Sequence, residues 1–232
     1  MIRSVCLAAT LAGQAGCGLI DSPTGELDLE LPARKVVIDT ADWELTDQGK
    51  IPAVDCAETP AVCLSRVDTW CGGNDLCAAA CAGATCEISV LVSLWHTFNL
   101  AQEMPELQQI GGRPLVRLTV DRVAFTVSEN TLSVTSPPLT VAVAPQGVTS
   151  THGRGAEIVG TIPAIEPGQT IAEGELELPP DGLANLASRM KDYQTPFNLV
   201  LESTLQLQAG DDVPSGRLVT AVMVSAHAST DL

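Results

Sequence analysis

The stretch FNLVLESTLQLQ, residues 197–208, decides the fold class. Its apolar residues share one parity: Phe197, Leu199, Leu201, Leu205 and Leu207. Its polar residues share the other: Asn198, Glu202, Gln206 and Gln208. Because successive side chains of a strand point to opposite faces, this alternation predicts a β-strand with one buried face. We therefore expect the four polar side chains to face solvent.

Similar patterns predict further strands at 35–39, 88–94, 116–127, 139–143 and 219–224. The apolar residues of 116–127 change parity between Val120 and Val123, which predicts a bulge or strand break near Asp121 and Arg122. The run 219–224 is apolar on both parities, as in a central strand that is covered on both faces.

One helix interrupts the strands. Its apolar residues recur at helical spacing: Leu183, Leu186, Ala187, Met190 and Tyr193. Asp181 is the expected N-cap, accepting hydrogen bonds from the first free amides, and Pro196 requires the helix to end before it. Many short strands and a single helix predict a mainly β protein, an antiparallel β-sandwich with one short helix at about 183–193.

The region 123–224 also resembles the type 2 late-embryogenesis-abundant, or water-stress, sandwich domain. The resemblance rests on four features: the strand ending at Asn130, the run Gly160–Ile165 with Pro167 and Gly168 after it, the helix at 183–193, and Pro196-Phe197 opening a long strand. It covers less than half of the chain, and Asn130-Thr131-Leu132 stands where the family has Asn-Pro-Asn. The resemblance implies a sandwich fold and carries no functional assignment.

The N-terminal residues have the pattern of a signal peptide. Arg3 is the only charge before Asp21, and the apolar run that follows it, residues 5–12, is too short to span a bilayer. We predict that 1–16 are a signal peptide and take no part in the fold.

Gln14-Ala15-Gly16-Cys17 is similar to the bacterial lipobox. The resemblance implies that lipid is attached to the Cys17 sulfur and that the chain is cleaved before this residue. Two or more acyl groups give a stable anchor. Gly18, rather than Asp, follows the cysteine, which by the same resemblance favours an outer-membrane lipoprotein. Cleavage after Ala15, followed by ordinary secretion, is the alternative.

The predicted signal peptide and lipid anchor set the boundaries that we expect for the remaining segments of the chain. Residues 17–33 are predicted to be the lipidated cysteine and a tether, because turn residues at 21–25 are followed by an acidic run at 26–30. Residues 34–232 are then the sandwich domain, with a cysteine-rich insertion at 56–86.

The insertion holds six cysteines: Cys56, Cys63, Cys71, Cys77, Cys81 and Cys86. An even, clustered number in an exported protein predicts three disulfides, although fifteen pairings are open. Zinc is disfavoured because the segment has neither a C-x2-C pair nor a nearby histidine. One helical turn between Cys77 and Cys81 would place both on one face, so that each bonds a partner elsewhere.

The formal charge of −16 repels phosphate backbones, so we exclude nucleic acid as a partner. We predict no catalytic residue, no metal and no cofactor, since no nucleophile, phosphate-loop or metal motif is present. The weaker candidates have ordinary explanations as surface or core residues: His96, His152 with Arg154, His227, the alternating Glu173, Glu175 and Glu177, Asp211-Asp212, and the three tryptophans Trp43, Trp70 and Trp95.

The sequence therefore predicts a bacterial envelope lipoprotein that meets the membrane through its lipid and has a non-catalytic binding or structural role. Its envelope partner or ligand is left open. One alternative is an envelope hydrolase with a site built from scattered carboxylates, which leaves no local motif. Another is a carrier of apolar ligands, which needs an open cavity between the sheets.

Overall fold

The computed structural model of the protein describes residues 24–43, 45, 49–51, 53–56, 60–72 and 76–231. Cys17 and the predicted signal peptide at 1–16 lie outside the described residues. The described strands are β1 (Thr24–Asp39), β2 (Cys77–Ala82), β3 (Thr85–Phe98), β4 (Leu115–Asn130), β5 (Leu139–Pro145), β6 (Glu157–Ile162), β7 (Ile171–Glu175), β8 (Phe197–Leu207) and β9 (Arg217–Asp231). The described helices are α1 (Pro60–Trp70), α2 (Leu100–Glu103), α3 (Pro105–Gln109) and α4 (Gly182–Lys191), and a 3-10 turn spans Thr40–Trp43.

The strands form two antiparallel sheets, which confirms the predicted fold class. One sheet has the order β1-β9-β4-β7 and the other has the order β2-β3-β8-β5-β6. Side chains of both sheets share a single apolar core, in which Phe98, Phe125 and Phe197 are fully buried. Burial of this apolar area is the main stabilising contribution to the fold.

The two long sides of the sandwich differ. On one side, α4 packs against β4 and β6 and buries Leu186 and Met190, and a short bridge joins Thr161 to Glu177 beyond β7. On the other side, β1 of the first sheet lies beside β3 of the second without strand pairing between them. We call this second side the β1–β3 seam.

The predicted strand at 197–208 is β8, the middle strand of the five-stranded sheet. Its apolar residues are buried as expected, but the expectation that Asn198 and Glu202 face solvent is wrong, since both are buried. The reason is the loop between β5 and β6, whose residues 148–152 hydrogen-bond to both side chains on the outer face of this sheet.

The predicted irregularity in 116–127 is confirmed. Strand β4 pairs with β9 along most of its length, and the register shifts between Val120 and Arg122. The prediction for 219–224 also holds, because β9 is an interior strand on which Val219, Thr220, Ala221 and Val222 are all buried.

The tether predicted for 17–33 is wrong in its second half, because its residues from Thr24 onward belong to β1. They pair with β9 from Thr24 opposite Asp231 to Leu31 opposite Val224. The physical reason lies in the acidic run itself, where Leu27, Leu29 and Leu31 alternate with acidic residues. Leu29 and Leu31 are buried, so one face of this run joins the core.

Helix α4 begins where predicted, with Asp181 at the N-cap position. The predicted side-chain cap is wrong, because the Asp181 side chain makes no cap hydrogen bond. The backbone carbonyl of Asp181 instead accepts from the Asn185 N–H at 2.8 Å. The single predicted helix is joined by α1 and by two short helices, α2 and α3, which the sequence interpretation missed.

Candidate functional site

Three disulfides cross-link the cysteine-rich segment, and they use all six of its cysteines: Cys56–Cys81, Cys63–Cys86 and Cys71–Cys77. They tie α1 and the loop before it to the hairpin of β2 and β3. Cys77 and Cys81 lie on strand β2 and not on a helical turn. A strand also places residues four apart on one face, so each still bonds a partner elsewhere. The sulfurs of Cys56, Cys63 and Cys86 lie within 4.8 Å of one another, but all three are disulfide-bonded and offer no thiolate to a metal.

The disulfides differ in the length of chain that they close. The disulfide Cys63–Cys86 spans 23 residues. We expect its removal, by substitution of both cysteines with alanine, to lower the free energy of unfolding by about 3 kcal/mol. Removal of Cys71–Cys77, which spans 6 residues, is expected to cost about 2 kcal/mol, because a shorter loop restricts the unfolded chain less. Urea unfolding of the two double variants measures the difference, and a larger loss for Cys71–Cys77 would contradict this explanation.

The most concentrated polar cluster in the described chain surrounds Glu202 on β8. Its carboxylate accepts hydrogen bonds from the Ser150 hydroxyl (2.8 Å), the Thr151 hydroxyl (2.8 Å) and the Thr151 N–H (3.1 Å). The imidazole Nδ1 of His152 lies 3.0 Å from Oε1, the carboxylate oxygen that also accepts from the Thr151 hydroxyl. Two neighbours complete the attachment of the loop: the Ser93 hydroxyl donates to the Thr149 carbonyl and the Asn198 amide donates to the Val148 carbonyl.

These hydrogen bonds set the charge of the buried carboxyl. Burial of Glu202 is the largest influence and raises its pKa. The hydrogen bonds from Thr151, Ser150 and His152 all favour the ionised form, and together they hold the pKa of Glu202 below its ordinary value. The residue is therefore a carboxylate near neutral pH.

The hydrogen bonds of this cluster hold the loop between β5 and β6 against strand β8. Serine and threonine hydroxyls donate to the carboxylate, and the Thr151 hydroxyl contacts the same His152 nitrogen that faces Glu202. The His152 side chain is 87% exposed. Among the described residues, no hydroxyl is hydrogen-bonded to its other ring nitrogen, Nε2, where the nucleophile of a hydrolase triad would lie.

A second polar cluster lies at the β1–β3 seam. The guanidinium of Arg34 on β1 is ion-paired with Glu103 of α2, and its central carbon lies 5.8 Å from the centre of the Phe98 ring. Glu103 also accepts from the Asn99 N–H at 3.0 Å. The ring of His96 packs edge-on against Phe98, with 5.1 Å between ring centres. The seam thus brings together residues from β1, β3 and α2 that no sequence motif connects.

Three enclosed polar atoms of this cluster meet no hydrogen-bond partner among the described residues: Arg34 Nε, His96 Nε2 and Asn99 Oδ1. Burial lowers the pKa of His96, the nearby Arg34 charge lowers it further, and Glu103 opposes them. A neutral imidazole is therefore favoured, which leaves one ring nitrogen able to accept a hydrogen bond.

An open groove of about 300 Å³ adjoins this cluster at the seam, lined by Lys35, Val36, Val37, Leu94, Trp95 and His96. Trp95 is 54% exposed and Val37 is also exposed, whereas Trp43 and Trp70 are buried. Of the three tryptophans that could line a ligand groove, only Trp95 lies where a ligand would meet it.

The remaining candidates are surface groups. Arg122 is ion-paired with Glu173 and lies 3.2 Å from Glu175, and all three side chains are largely exposed. Asp212 pairs with Lys50 at 2.7 Å, and His227 contacts Asp121 at 2.8 Å, again among exposed side chains. Pairs of this kind contribute little to stability.

One apolar cavity lies between the sheets in the described part of the chain. The apolar cavity lined by Ile38, Trp43, Val92, Leu132 and Leu205 among others has a volume of about 20 Å³. A space of that size accommodates one water molecule and no acyl chain. Among the described helices, none is both long and apolar enough to cross a bilayer.

Comparisons with known proteins add little. No family model matches the chain, and no curated protein matches it. Solved structures with some similarity include a chain of turnip yellow mosaic virus, 13% identical, with all of this chain and 92% of the viral chain covered and a TM-score of 0.25. A chain of Desmodium yellow mottle tymovirus is 12% identical, with all of this chain and 97% of the viral chain covered and a TM-score of 0.24. These scores are too low to support any conclusion about fold or function.

Proposed function

We propose that the protein is an exported bacterial lipoprotein, anchored in the outer membrane through Cys17, whose β-sandwich has a non-catalytic binding role in the cell envelope. The observation that carries the proposal is that all six cysteines of 56–86 are paired in disulfides. Disulfides of this density persist in oxidising compartments, such as the periplasm and the cell surface. Export is also what the signal-like pattern at 1–16 and the lipobox-like Gln14–Cys17 predict.

Two features support binding over the alternatives. The hydrogen bonds of the buried carboxylate Glu202 with Ser150, Thr151 and His152 are those of a group that holds a loop in place. The cavity between the sheets is far smaller than an apolar ligand. The open groove at the β1–β3 seam, with its exposed Trp95, is the feature that best suits contact with a partner.

The experiment is intact-mass measurement of the full chain, expressed in a bacterial host and recovered from membranes, with and without reduction. We expect a mature protein that starts at Cys17 and carries the mass of two or three acyl chains. Reduction should add the mass of about six hydrogen atoms, one for each cysteine of the three disulfides. The control variant Cys17→Ser should leave the membrane fraction or remain unprocessed, because it has no sulfur to acylate.

A protein that starts at Gly16 without acyl mass would overturn the anchor and leave a secreted protein. If reduction leaves the mass unchanged, the six cysteines are not paired in disulfides, and the main support for export is lost.

A further inference from the structure

We propose that Cys81 is a modification site for small thiols, and that its modification makes two neighbouring disulfides exchange partners. The exchange converts Cys56–Cys81 and Cys63–Cys86 into Cys56–Cys63 and Cys81–Cys86. We call these four residues the exchange cluster. Three features carry the inference: sulfurs of different disulfides that lie close together, two cysteines directly opposite each other on a hairpin, and one cysteine that is only partly buried.

The two disulfides of the exchange cluster are close neighbours. The sulfurs of Cys56, Cys63 and Cys86 all lie within 4.8 Å of one another, although only the last two are bonded to each other. A thiolate attacks a disulfide sulfur directly, so a small side-chain movement brings Cys56 to its target. Among the described residues, no third sulfur lies within 4.8 Å of both Cys71 and Cys77, so the third disulfide has no such neighbour.

The hairpin of β2 and β3 places Cys81 directly opposite Cys86. Opposite residues of an antiparallel pair alternate between hydrogen-bonded and non-hydrogen-bonded pairs, and the Cα atoms of the second kind are only about 4.5 Å apart. The Leu91 N–H donates to the Leu76 carbonyl, which marks a hydrogen-bonded pair five residues along each strand from the two cysteines. Cys81 and Cys86 are therefore a non-hydrogen-bonded pair, at a separation that a disulfide spans without backbone movement.

Access decides where an external thiol enters the exchange cluster. Cys81 is partly buried and precedes residues 82–85, which are exposed. The other three cysteines of the cluster are buried. Since the rate of exchange depends on which sulfur a thiolate can reach, a small thiolate attacks Cys81 first.

Three successive steps complete the exchange. The external thiolate bonds to Cys81 Sγ, the Cys56–Cys81 bond breaks, and its electron pair leaves on Cys56. The Cys56 thiolate then bonds to Cys63 Sγ, and the electron pair of the broken Cys63–Cys86 bond leaves on Cys86. The Cys86 thiolate bonds to Cys81 Sγ and releases the external thiolate unchanged. Two disulfides are present before and after, so nothing is oxidised or reduced overall.

The exchange changes what the disulfides hold together. In the structure, both bonds tie α1 or the loop before it to the hairpin, whereas each exchanged bond closes one of these parts on itself. Only the third disulfide then links the two parts covalently. The hydrogen bonds from the Cys56 N–H to the Ala84 carbonyl (2.8 Å) and from the Cys86 N–H to the Val54 carbonyl (3.3 Å) lose that support. We expect faster hydrogen exchange at both N–H groups in the exchanged form.

The test is a disulfide map of the full chain, incubated with reduced glutathione in the absence of oxygen. Free thiols are first blocked with N-ethylmaleimide, which is then removed, and the same reagent in acid stops the reaction. Within 51–87, trypsin and a glutamate-specific protease cleave only after Glu58, Arg66 and Glu87, with Lys50 as the preceding site. The fragments are therefore 51–58 with Cys56, 59–66 with Cys63, and 67–87 with the other four cysteines.

We expect the link of fragment 51–58 to move from 67–87 to 59–66, while the intact mass of the protein stays the same. Without glutathione, both short fragments should remain linked to 67–87. Doubling the glutathione concentration should about double the initial rate, because the first attack is bimolecular.

A variant without the second disulfide identifies the sulfur that is attacked. Cys63→Ser with Cys86→Ser keeps Cys56–Cys81 but removes its exchange partner. Glutathione should then remain on fragment 67–87, and N-ethylmaleimide should label Cys56 on fragment 51–58.

Cys71→Ser with Cys77→Ser is the matched control, since it also lacks one disulfide but leaves the exchange cluster intact. It should exchange at the wild-type rate. Urea unfolding checks that both double variants are folded, and the wild-type map needs no variant.

A wild-type map in which 51–58 never becomes linked to 59–66 would overturn the proposal. Glutathione on fragment 51–58 of Cys63→Ser with Cys86→Ser would also overturn it, because the thiol would then enter at Cys56. Both results concern residues 51–87 alone, so they are independent of whether Cys17 carries lipid.

Discussion

Gly216→Ala is expected to lower the free energy of unfolding by about 4 kcal/mol, a large share of the total stability of an ordinary protein. Gly216 has a φ of +100°, where residues with a Cβ are strained. A Cβ added there would lie 2.0 Å from the Thr131 carbonyl oxygen and 2.6 Å from its carbon. Both contacts are with backbone, which cannot rotate away as a flexible side chain does.

The surrounding hydrogen bonds prevent relaxation at this position. The Gly216 carbonyl accepts from the Thr40 N–H at 3.1 Å, at the end of β1, and the next carbonyl, of Arg217, accepts from the Thr131 N–H at 2.8 Å, at the end of β4. The glycine therefore lies where three neighbouring strands are joined at one end of the four-stranded sheet. Any shift that relieves the clash would break these bonds.

Gly168→Ala is the matched control. Gly168 also has a positive φ, +74°, but a Cβ there would meet nothing within 4 Å. We expect a loss of about 1 kcal/mol, the conformational cost alone. Urea unfolding of both variants separates the clash from the conformational cost, and equal losses would show that the backbone contact with Thr131 is not limiting.

Strands with one buried face could be predicted from the sequence, and so could one internal irregularity. The parity change around Asp121 located the register shift of β4, because a strand cannot change its buried face without an extra residue. The helix at 183–193 was found for the same reason, since its apolar residues follow one period. Periodicity is a local property, so a sequence displays it directly.

The first half of β1 was missed although its pattern is equally regular. Acidic residues at Glu26, Asp28 and Glu30 suggested a solvated tether, while the leucines between them form a buried face. Helix α1 was missed for a different reason. The disulfide through Cys63 and its packing beside β2 stabilise a helix whose apolar stripe is weak.

The candidate sites could not be predicted, because they depend on contacts between distant parts of the chain. Arg34 and Glu103 are 69 residues apart, and His152 and Glu202 are 50 apart. At Glu202 the alternation of polar and apolar residues led to a wrong prediction of exposure, since a polar residue on a strand normally faces water. Only the loop that covers the outer face changes that environment.

Glu202→Gln is expected to lower the free energy of unfolding by about 3–4 kcal/mol, because an amide cannot accept all of the hydrogen bonds that the carboxylate accepts. The NH2 group of the glutamine amide is a donor, and it would face the donor groups of Ser150 and Thr151. The loop at 148–152 should detach locally before the sandwich unfolds, since Glu202 holds it through several contacts at once. Faster hydrogen exchange at the Thr151 N–H, together with a lower urea midpoint, measures both effects.

His152→Ala is the control at the same site. The imidazole contacts Glu202, but it is largely exposed, so we expect a loss of less than about 1 kcal/mol. A loss as large as that of Glu202→Gln would mean that the His152 contact, and not the Ser150 and Thr151 bonds, holds the loop.

The same residue gives the protein an acid-sensitive contribution to stability. Because the pKa of Glu202 is lower in the folded protein than its ordinary value of 4.5, the folded state favours the ionised form. This contribution is fully present above pH 4.5 and is lost as the pH falls through the lower, folded pKa. Below pH 4.5 the stability of the wild type should therefore fall more steeply than the stability of Glu202→Gln. Urea midpoints measured through the acid range test this. Parallel curves for the two proteins would show that Glu202 titrates alike in the folded and unfolded chains, and that its hydrogen bonds to the loop do not favour the carboxylate.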